Sequence, residues 1–160
     1  MKKNILFLAF IFISLIVLHA KELKFSDCYG KWKIDKAFIV SEDFLVIGDM
    51  AKEEAESYIG KVITYRPNEF ELNETIFKYS RDIRKYITNV TDYFYDKRYW
   101  HGSFKEFGIT EERFNRYSLD IEDYFKYENQ IIIGDSIIQL NKNELLIVKT
   151  NWYFHAVRFE

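Results

Sequence analysis

Histidine, cysteine and paired acidic residues are the side chains of this sequence best suited to acid–base, nucleophilic or metal chemistry. His101 and His155 lie far apart, the third histidine is in the apolar N-terminus, and Cys28 is the single cysteine. Because a zinc site needs three or four ligands at characteristic spacings, these residues predict no metal centre. One cysteine also excludes a disulfide framework, and Cys28 is expected to be a small buried apolar residue.

Adjacent acidic residues occur at Glu53-Glu54, Glu111-Glu112 and Glu122-Asp123. Neighbouring residues of a helix or strand point in different directions, so none of these pairs can act on one substrate as a catalytic dyad. The sequence also has no Gly-x-Ser-x-Gly elbow, His-Glu-x-x-His helix, phosphate-binding glycine loop or Cys-x-x-Cys pair. We therefore predict a protein without catalytic activity or cofactor, and we expect the acidic pairs to be solvated.

The composition is that of one compact domain, because 48% of the 160 residues are apolar, 30% are charged and 19% are aromatic. The apolar and aromatic content argues against a disordered chain. A net charge of −2 gives no basic footprint of the kind that nucleic-acid binding requires. Nucleic acid is therefore not expected as a partner.

The N-terminus has the three parts of a secretory signal peptide: Lys2 and Lys3, the apolar run 5–18, and the small residue Ala20. We predict cleavage after Ala20, which leaves a mature domain of residues 21–160 in the periplasm or outside the cell. An uncleaved membrane anchor is the alternative reading, but the apolar run is short for a membrane span. If the segment is cleaved, membrane contact is expected only during export. Bulky residues before Cys28 exclude lipid attachment there.

The first half of the mature chain has short strand patterns around one short helix. Polar and apolar residues alternate from Trp32 onward, which is typical of a half-buried strand. Residues 51–59 are rich in helix formers, and Gly60 follows at the position of a C-terminal cap. The strands that follow are predicted at 61–65, 70–72 and 75–79, with a turn at Asn73-Glu74.

The middle of the chain is predicted to be a helical aromatic insertion near residues 81–117. Ile83, Tyr86, Ile87 and Val90 recur at helical spacing, with Ser80 available as a cap. Twelve aromatic residues follow between positions 93 and 127. These rings either fill the core or form a ligand mouth or partner surface, and the sequence leaves both readings open.

The C-terminal third predicts an antiparallel meander with strands at 131–133, 136–140, 144–149 and 152–159. The last strand is apolar on both faces. One face carries Trp152, Phe154 and Ala156, and the other carries Tyr153, Val157 and Phe159. A strand of this kind must be covered on both sides, which is typical of a filled or ligand-holding barrel overlaid by the aromatic middle segment.

Gly30-x-Trp32 on the first strand, ahead of the acidic helix, a Tyr58–Lys61 segment and the terminal meander, resembles the lipocalin (calycin) opening. The order of features is similar to that of small secreted bacterial lipocalin-like proteins, over residues 29–65 and 134–158. The resemblance implies a mainly β protein with minor α content, built as an antiparallel up-and-down barrel that holds an apolar ligand.

The resemblance also implies roles for individual residues. A basic residue near the end of a lipocalin barrel packs across the tryptophan of the Gly-x-Trp strand, which implies Arg158 on Trp32 and a first strand beside the last. The ligand-binding residues are then expected to be Trp32, Trp152, Phe154 and Arg158.

Two functions follow from this reading. The first is a periplasmic or secreted lipocalin-like protein that binds a small hydrophobic ligand. The alternative is a non-enzymatic envelope protein, an inhibitor or assembly factor, whose barrel is packed solid and whose outer surface binds a protein partner.

Asn73 is a candidate glycosylation site. It lies in an Asn-x-Thr sequon with Glu71 two residues before it, the extended sequon that some bacterial oligosaccharyltransferases use. The second sequon, Asn89-Val90-Thr91, lacks that acid. A chance match at a hairpin turn is the alternative reading for Asn73.

Overall fold

The computed structural model describes residues 23–39, 50–89, 113–127, 131–149 and 152–159, and these residues form mainly β structure. Along the chain the elements are a 3-10 turn (Phe25–Cys28), β1 (Gly30–Ile39), helix α1 (Lys52–Glu56), β2 (Val62–Arg66), β3 (Glu69–Leu72), β4 (Thr75–Lys78), β5 (Arg84–Asn89), β6 (Arg113–Ser118), a second 3-10 turn (Tyr124–Tyr127), β7 (Ser136–Gln139), β8 (Glu144–Lys149) and β9 (Trp152–Phe159). Within these ranges, no helix has the length and apolar character needed to cross a membrane.

The nine strands form one antiparallel sheet in the order β4-β3-β2-β1-β9-β8-β7-β6-β5. Strands that follow each other in the chain are neighbours, as expected for short connections, except for β4 and β5, which are the two edges. The first strand pairs with the last over most of its length, from Lys31↔Phe159 to Ile39↔Trp152. The predicted antiparallel meander is confirmed for its last three strands, and the predicted neighbourhood of the first and last strands is confirmed.

The sheet curls into a half-barrel around an aromatic interior. The Phe25 ring lies 6.5 Å from the Tyr65 ring of β2 and 5.2 Å from the Tyr117 ring of β6, although four strands separate β2 from β6 in the sheet. A flat sheet would hold strands five positions apart at about 24 Å. A bridge between Tyr79 and Ile121 links the end of β4 to the segment after β6.

Both faces of the C-terminal strands contain buried residues. Leu145 and Ile147 of β8 belong to the main core inside the curl, whereas Leu146 and Val148 are buried on the outer face. On β9, Tyr153 is likewise 3% exposed, but Phe159 is 46% exposed. The prediction that the last strand is covered on both sides is therefore right for its first half only. The predicted cover, the aromatic segment after residue 89, lies largely outside the described residues.

A β-bulge at Asp35 changes the face that alternate residues of β1 present. Ile34 pairs with Ala156 and Lys36 pairs with His155, so Asp35 is the extra residue. Trp32 and Ile34 face inward before the bulge, and Ala37 and Ile39 pack against the core after it.

Two predictions of secondary structure are wrong. The predicted helical insertion near 81–117 contains strands at Arg84–Asn89 and Arg113–Ser118, which pair with each other in antiparallel register. The rest of that range, residues 90–112, lies outside the described residues. Residues 131–133 form no strand: Ile132 and Ile133 are buried in the core and Ile131 packs against it, without a ladder partner. The helix expected at 51–59 exists but is shorter, Lys52–Glu56, and the turn after it ends at Gly60 with φ +89°.

Candidate functional site

One end of the half-barrel is closed by Arg158 stacked on Trp32. The two residues are paired across β1 and β9, and the guanidinium carbon lies 4.2 Å from the centre of the indole ring. The indole is fully buried, and its Nε1 donates a hydrogen bond of 2.6 Å to the carbonyl of Cys28. This contact confirms the predicted packing of Arg158 on Trp32.

The Arg158 guanidinium also binds three backbone carbonyls from separate segments. Nε donates to Lys142, Nη1 to Tyr29 and Nη2 to Asp27, at 2.8, 3.0 and 2.5 Å. A planar group with five donors can serve three acceptors at once while its face lies on an indole. Arg158 therefore fixes the 3-10 turn and the β7–β8 turn against the β1–β9 ladder.

Gly30 is required where the chain enters β1. Its φ is +121°, and a Cβ at this position would lie 3.0 Å from Arg158 Nη1. Glycine is thus favoured both by the backbone conformation and by the close approach of the guanidinium. The Gly-x-Trp spacing places the small residue beside the arginine and the indole beneath it.

Replacing Arg158 with lysine is expected to destabilise the fold by about 1–2 kcal/mol, because an ammonium keeps the charge but neither stacks as a plane nor reaches three carbonyls. Urea unfolding of Arg158→Lys beside the exposed-strand control Arg84→Lys measures this loss. Equal stability of the two variants would contradict the bracing role of Arg158.

An apolar cleft of about 370 Å³ lies at the other end of the β1–β9 ladder. Four residues supply most of its apolar lining: Ala37 and Ile39 of β1, Met50, and Trp152 of β9. Ala51, Lys52 and Glu56 complete the lining at α1. Lys52 Nζ and Glu56 Oε1 are 3.9 Å apart and well exposed, so the charged groups face solvent while the apolar groups face the cleft.

Trp152 and Phe154 have different surroundings. Trp152 borders the cleft, and its Nε1 donates a 2.9 Å hydrogen bond to the Met50 carbonyl, which fixes the ring. Phe154 is fully buried, with its ring 5.9 Å from that of Tyr58. Burial is the main cause of the raised pKa of Tyr58, and the nearby Glu54 carboxylate adds to it.

The four residues predicted to bind ligand therefore do not surround one site. The structure brings Trp32 and Arg158 together at one end of the ladder and places Trp152 at the other, seven β1 residues away. At about 3.3 Å per residue, that separation is roughly 23 Å. Of the four, Trp152 alone lines the cleft, and Phe154 lies between the two ends within the core.

Aromatic rings fill the interior near the Trp32 end. Phe25 is in edge contact with Tyr29, Tyr65, Tyr79 and Tyr117. The hydroxyls of the last three bond to backbone carbonyls, as Tyr65 does to Gly134 at 3.1 Å and Tyr117 to Leu23 at 3.2 Å. Burial raises the pKa of Tyr65 far above its ordinary value, so its hydroxyl stays a neutral donor inside the core.

Cys28 is fully buried beside this ring cluster, as predicted. The pKa of its thiol is raised to about 12, mainly by burial and in addition by the Asp27 carboxylate, while Arg158 acts in the opposite direction. Since the thiolate is the reacting form, we expect native protein at pH 8 to react with a disulfide reagent at least about a hundredfold more slowly than unfolded protein. A native rate matching the denatured rate would contradict this environment.

The histidine and acidic residues considered for chemistry from the sequence either form a local contact or lie at the surface, where they are described. Nδ1 of His155 lies 2.5 Å from Oδ1 of Asp35, so the bulge supplies the partner of this histidine. Glu53, Glu54, Glu122 and Asp123 are exposed, as expected. His101, Glu111 and Glu112 lie outside the described residues. Within the described part of the chain, no three histidine, cysteine or acidic side chains are grouped as a metal site would require.

Asn73 lies exposed in the two-residue hairpin between β3 and β4, with φ +53° there and +65° at Glu74. Positive φ at both central residues is typical of a type I′ turn, which favours asparagine. The Glu71 carboxylate two residues earlier bonds to Arg66 Nη2 at 2.8 Å. The predicted exposed hairpin position is confirmed.

Glycosylation of Asn73 remains a prediction. In a host that carries an oligosaccharyltransferase of acidic-sequon specificity, we expect a glycan mass on Asn73 and none on Asn89, whose sequon lacks the acid. Intact-mass and glycopeptide analysis of the wild type, Asn73→Asp and Glu71→Gln test this, with modification expected for the wild type alone. An unmodified Asn73 in that host would end the assignment.

Comparisons with protein-family models, curated proteins and solved structures find no match to this chain. The fold defines the structural class of the protein: a mostly β, antiparallel half-barrel whose first and last strands pair with each other.

The sequence did not indicate Ala37, Ile39 and Met50 as cleft residues. The bulge at Asp35 interrupts the alternation that would have extended β1 to Ile39. Met50 follows residues 40–49, which lie outside the described residues.

Proposed function

We propose that this chain is an exported lipocalin-like protein, without catalytic activity, that binds a small hydrophobic ligand in the cleft bordered by Ile39 and Trp152. It acts in the periplasm or outside the cell once residues 1–20 are removed. The observation that carries the proposal is an apolar cleft at the end of a curled sheet whose opposite end is closed.

The strand order supports a lipocalin-like barrel. Consecutive antiparallel neighbours plus a first-to-last pair form the arrangement of an up-and-down barrel, and in this chain only the β4–β5 seam lacks the corresponding pair among the described strands. Under this proposal Trp32 and Arg158 close the barrel end, and their contribution to ligand binding is the structural support of the β1–β9 ladder.

The size and lining of the cleft support an apolar ligand. Small-molecule sites are typically about 300–1,000 Å³, mostly apolar and bordered by a few polar groups. The cleft of about 370 Å³ falls in that range. Trp152 contributes a rigid aromatic wall, and the Lys52 ammonium at the rim can pair with a ligand carboxylate.

Titration with the fluorescent apolar probe N-phenyl-1-naphthylamine tests the proposal. Ile39→Glu places a carboxylate in the cleft and is expected to weaken probe binding about tenfold or more, since burying an unpaired charge is unfavourable. The control Ile76→Glu alters a 47% exposed isoleucine on β4 and should leave binding unchanged. Absence of saturable binding, or equal loss in both variants, would contradict a ligand site in this cleft.

The second candidate is a protein-interaction module with a filled interior. The rings around Phe25 favour it, because they occupy the space that a deep ligand cavity would need. It differs from the first candidate in one measurable respect: the protein would be isolated from its host with a protein partner and without a small molecule.

A further inference from the structure

The two edges of the sheet are covered differently. Along β4, the amide of Glu122 donates to the Lys78 carbonyl at 2.9 Å, and the Tyr127 hydroxyl donates to the Ile76 carbonyl at 3.2 Å. The Tyr127 ring also packs 4.9 Å from that of Phe77. Residues 121–127 therefore occupy the edge of β4 and protect it from pairing with another strand.

At the opposite edge, no strand of the described ranges pairs with the outer side of β5. Tyr86 is 45% exposed and Ile87 is 68% exposed, so large apolar side chains are accessible on this edge strand. An edge with these properties is suited to the addition of a further strand.

The faces of β5 are set by its register with β6. Ile87 pairs with Asn115 and shares a face with the inward-pointing Tyr117 two residues on, whereas Arg84 pairs with Ser118 on the outer face. The inner face thus carries Ile87 beside Lys85, and the outer face carries Arg84 beside Tyr86. Arg84 is exposed.

We propose that β5 is a docking edge for an extended segment of a partner protein, added antiparallel as a tenth strand, with apolar residues facing inward and carboxylates facing outward. Ile87 would pack against the apolar row, and Arg84 would pair with the acidic row. The proposal is independent of the ligand cleft, which lies at the β1–β9 ladder.

Charge favours an acidic segment over a second copy of this chain. The strand β5 carries the exposed Arg84 and no carboxylate, so a second β5 strand would offer Arg84 no partner of opposite charge, whereas an acidic strand would. Backbone hydrogen bonds would supply affinity and the alternating side chains specificity.

Fluorescence anisotropy with a fluorescein-labelled decapeptide of alternating valine and glutamate tests the proposal, with the valine–lysine peptide as the control probe. The acidic peptide should bind saturably, and Arg84→Glu and Ile87→Ser should each weaken binding by about tenfold. The matched changes on the covered edge, Lys78→Glu and Ile76→Ser, should leave it within about twofold of the wild type.

In the binding experiment, the proposal would be overturned by no saturable binding to folded wild type, by equal binding of the basic peptide, or by equal losses from the β4 variants. Sedimentation of the same samples identifies the other occupant. A dimer that Ile87→Ser dissociates would assign β5 to a second copy and reject the acidic segment. Because the four substitutions are at exposed positions, circular dichroism should show an unchanged fold in each.

Discussion

Truncation of Trp32 to alanine is expected to lower the free energy of unfolding by about 3–5 kcal/mol, the usual range for a buried tryptophan. The indole is fully buried, supports the Arg158 guanidinium at 4.2 Å and bonds through Nε1 to Cys28. Removing the indole leaves a cavity in the core and also removes the ring on which the Arg158 guanidinium stacks. Thermal unfolding should show a decrease of about 10 °C in melting temperature.

Tyr124→Ala is the control for Trp32→Ala, because this ring is 51% exposed. A surface truncation of this kind should change stability by no more than about 0.5 kcal/mol. If the two variants unfolded at the same temperature, Trp32 would not be part of a packed barrel end.

Gly134→Ala is expected to destabilise the protein by about 2–5 kcal/mol through backbone strain and overpacking. Gly134 has φ +120°, and an added Cβ would lie 2.6 Å from Ile63 Cδ1 and 2.8 Å from Phe70 Cε2. Both neighbours are fully buried, so neither can move away without disturbing the core.

Gly60→Ala separates the two causes. Gly60 also has positive φ, +89°, but no atom lies within 4 Å of the position that an alanine methyl would take. Backbone strain alone should therefore lower the free energy of unfolding by about 1 kcal/mol in Gly60→Ala. Chemical denaturation of both variants should show a larger loss of stability for Gly134→Ala. A loss at Gly60 equal to that at Gly134 would contradict close packing around Gly134.

The hairpins and the β1–β9 contact were predictable because local chemistry determines them. Asn73-Glu74 between two short strand-like runs indicates a turn, and the structure has a hairpin turn there, with positive φ at both residues. The Gly-x-Trp strand and the basic residue of the last strand were identified by resemblance, and their contact is present.

The strand β5 was not predictable by periodicity, because its exposed residues show no apolar alternation. Ile83, Tyr86 and Ile87 happen to fall at helical spacing, whereas the β-forming residues of 86–88 pair with β6. The strand prediction at 131–133 was wrong for the opposite reason. The apolar character of these residues indicates burial, and an irregular segment packed inside the curled sheet is buried as well.

The candidate site was predictable only in part. Trp152 was identified, but Ala37 and Ile39 were hidden by the bulge at Asp35, which shifts the inward face of β1 by one residue. A bulge depends on tertiary pairing with β9, and the side chain of His155 on that strand bonds to Asp35.

Native mass spectrometry of the protein purified from its own host tests the central claim, ligand binding by an exported half-barrel, most directly. We predict a mature mass beginning at Lys21, together with a small apolar molecule that is released on denaturation and is absent from Ile39→Glu. A bare protein mass, or a protein partner without any small molecule, would contradict the ligand-binding account.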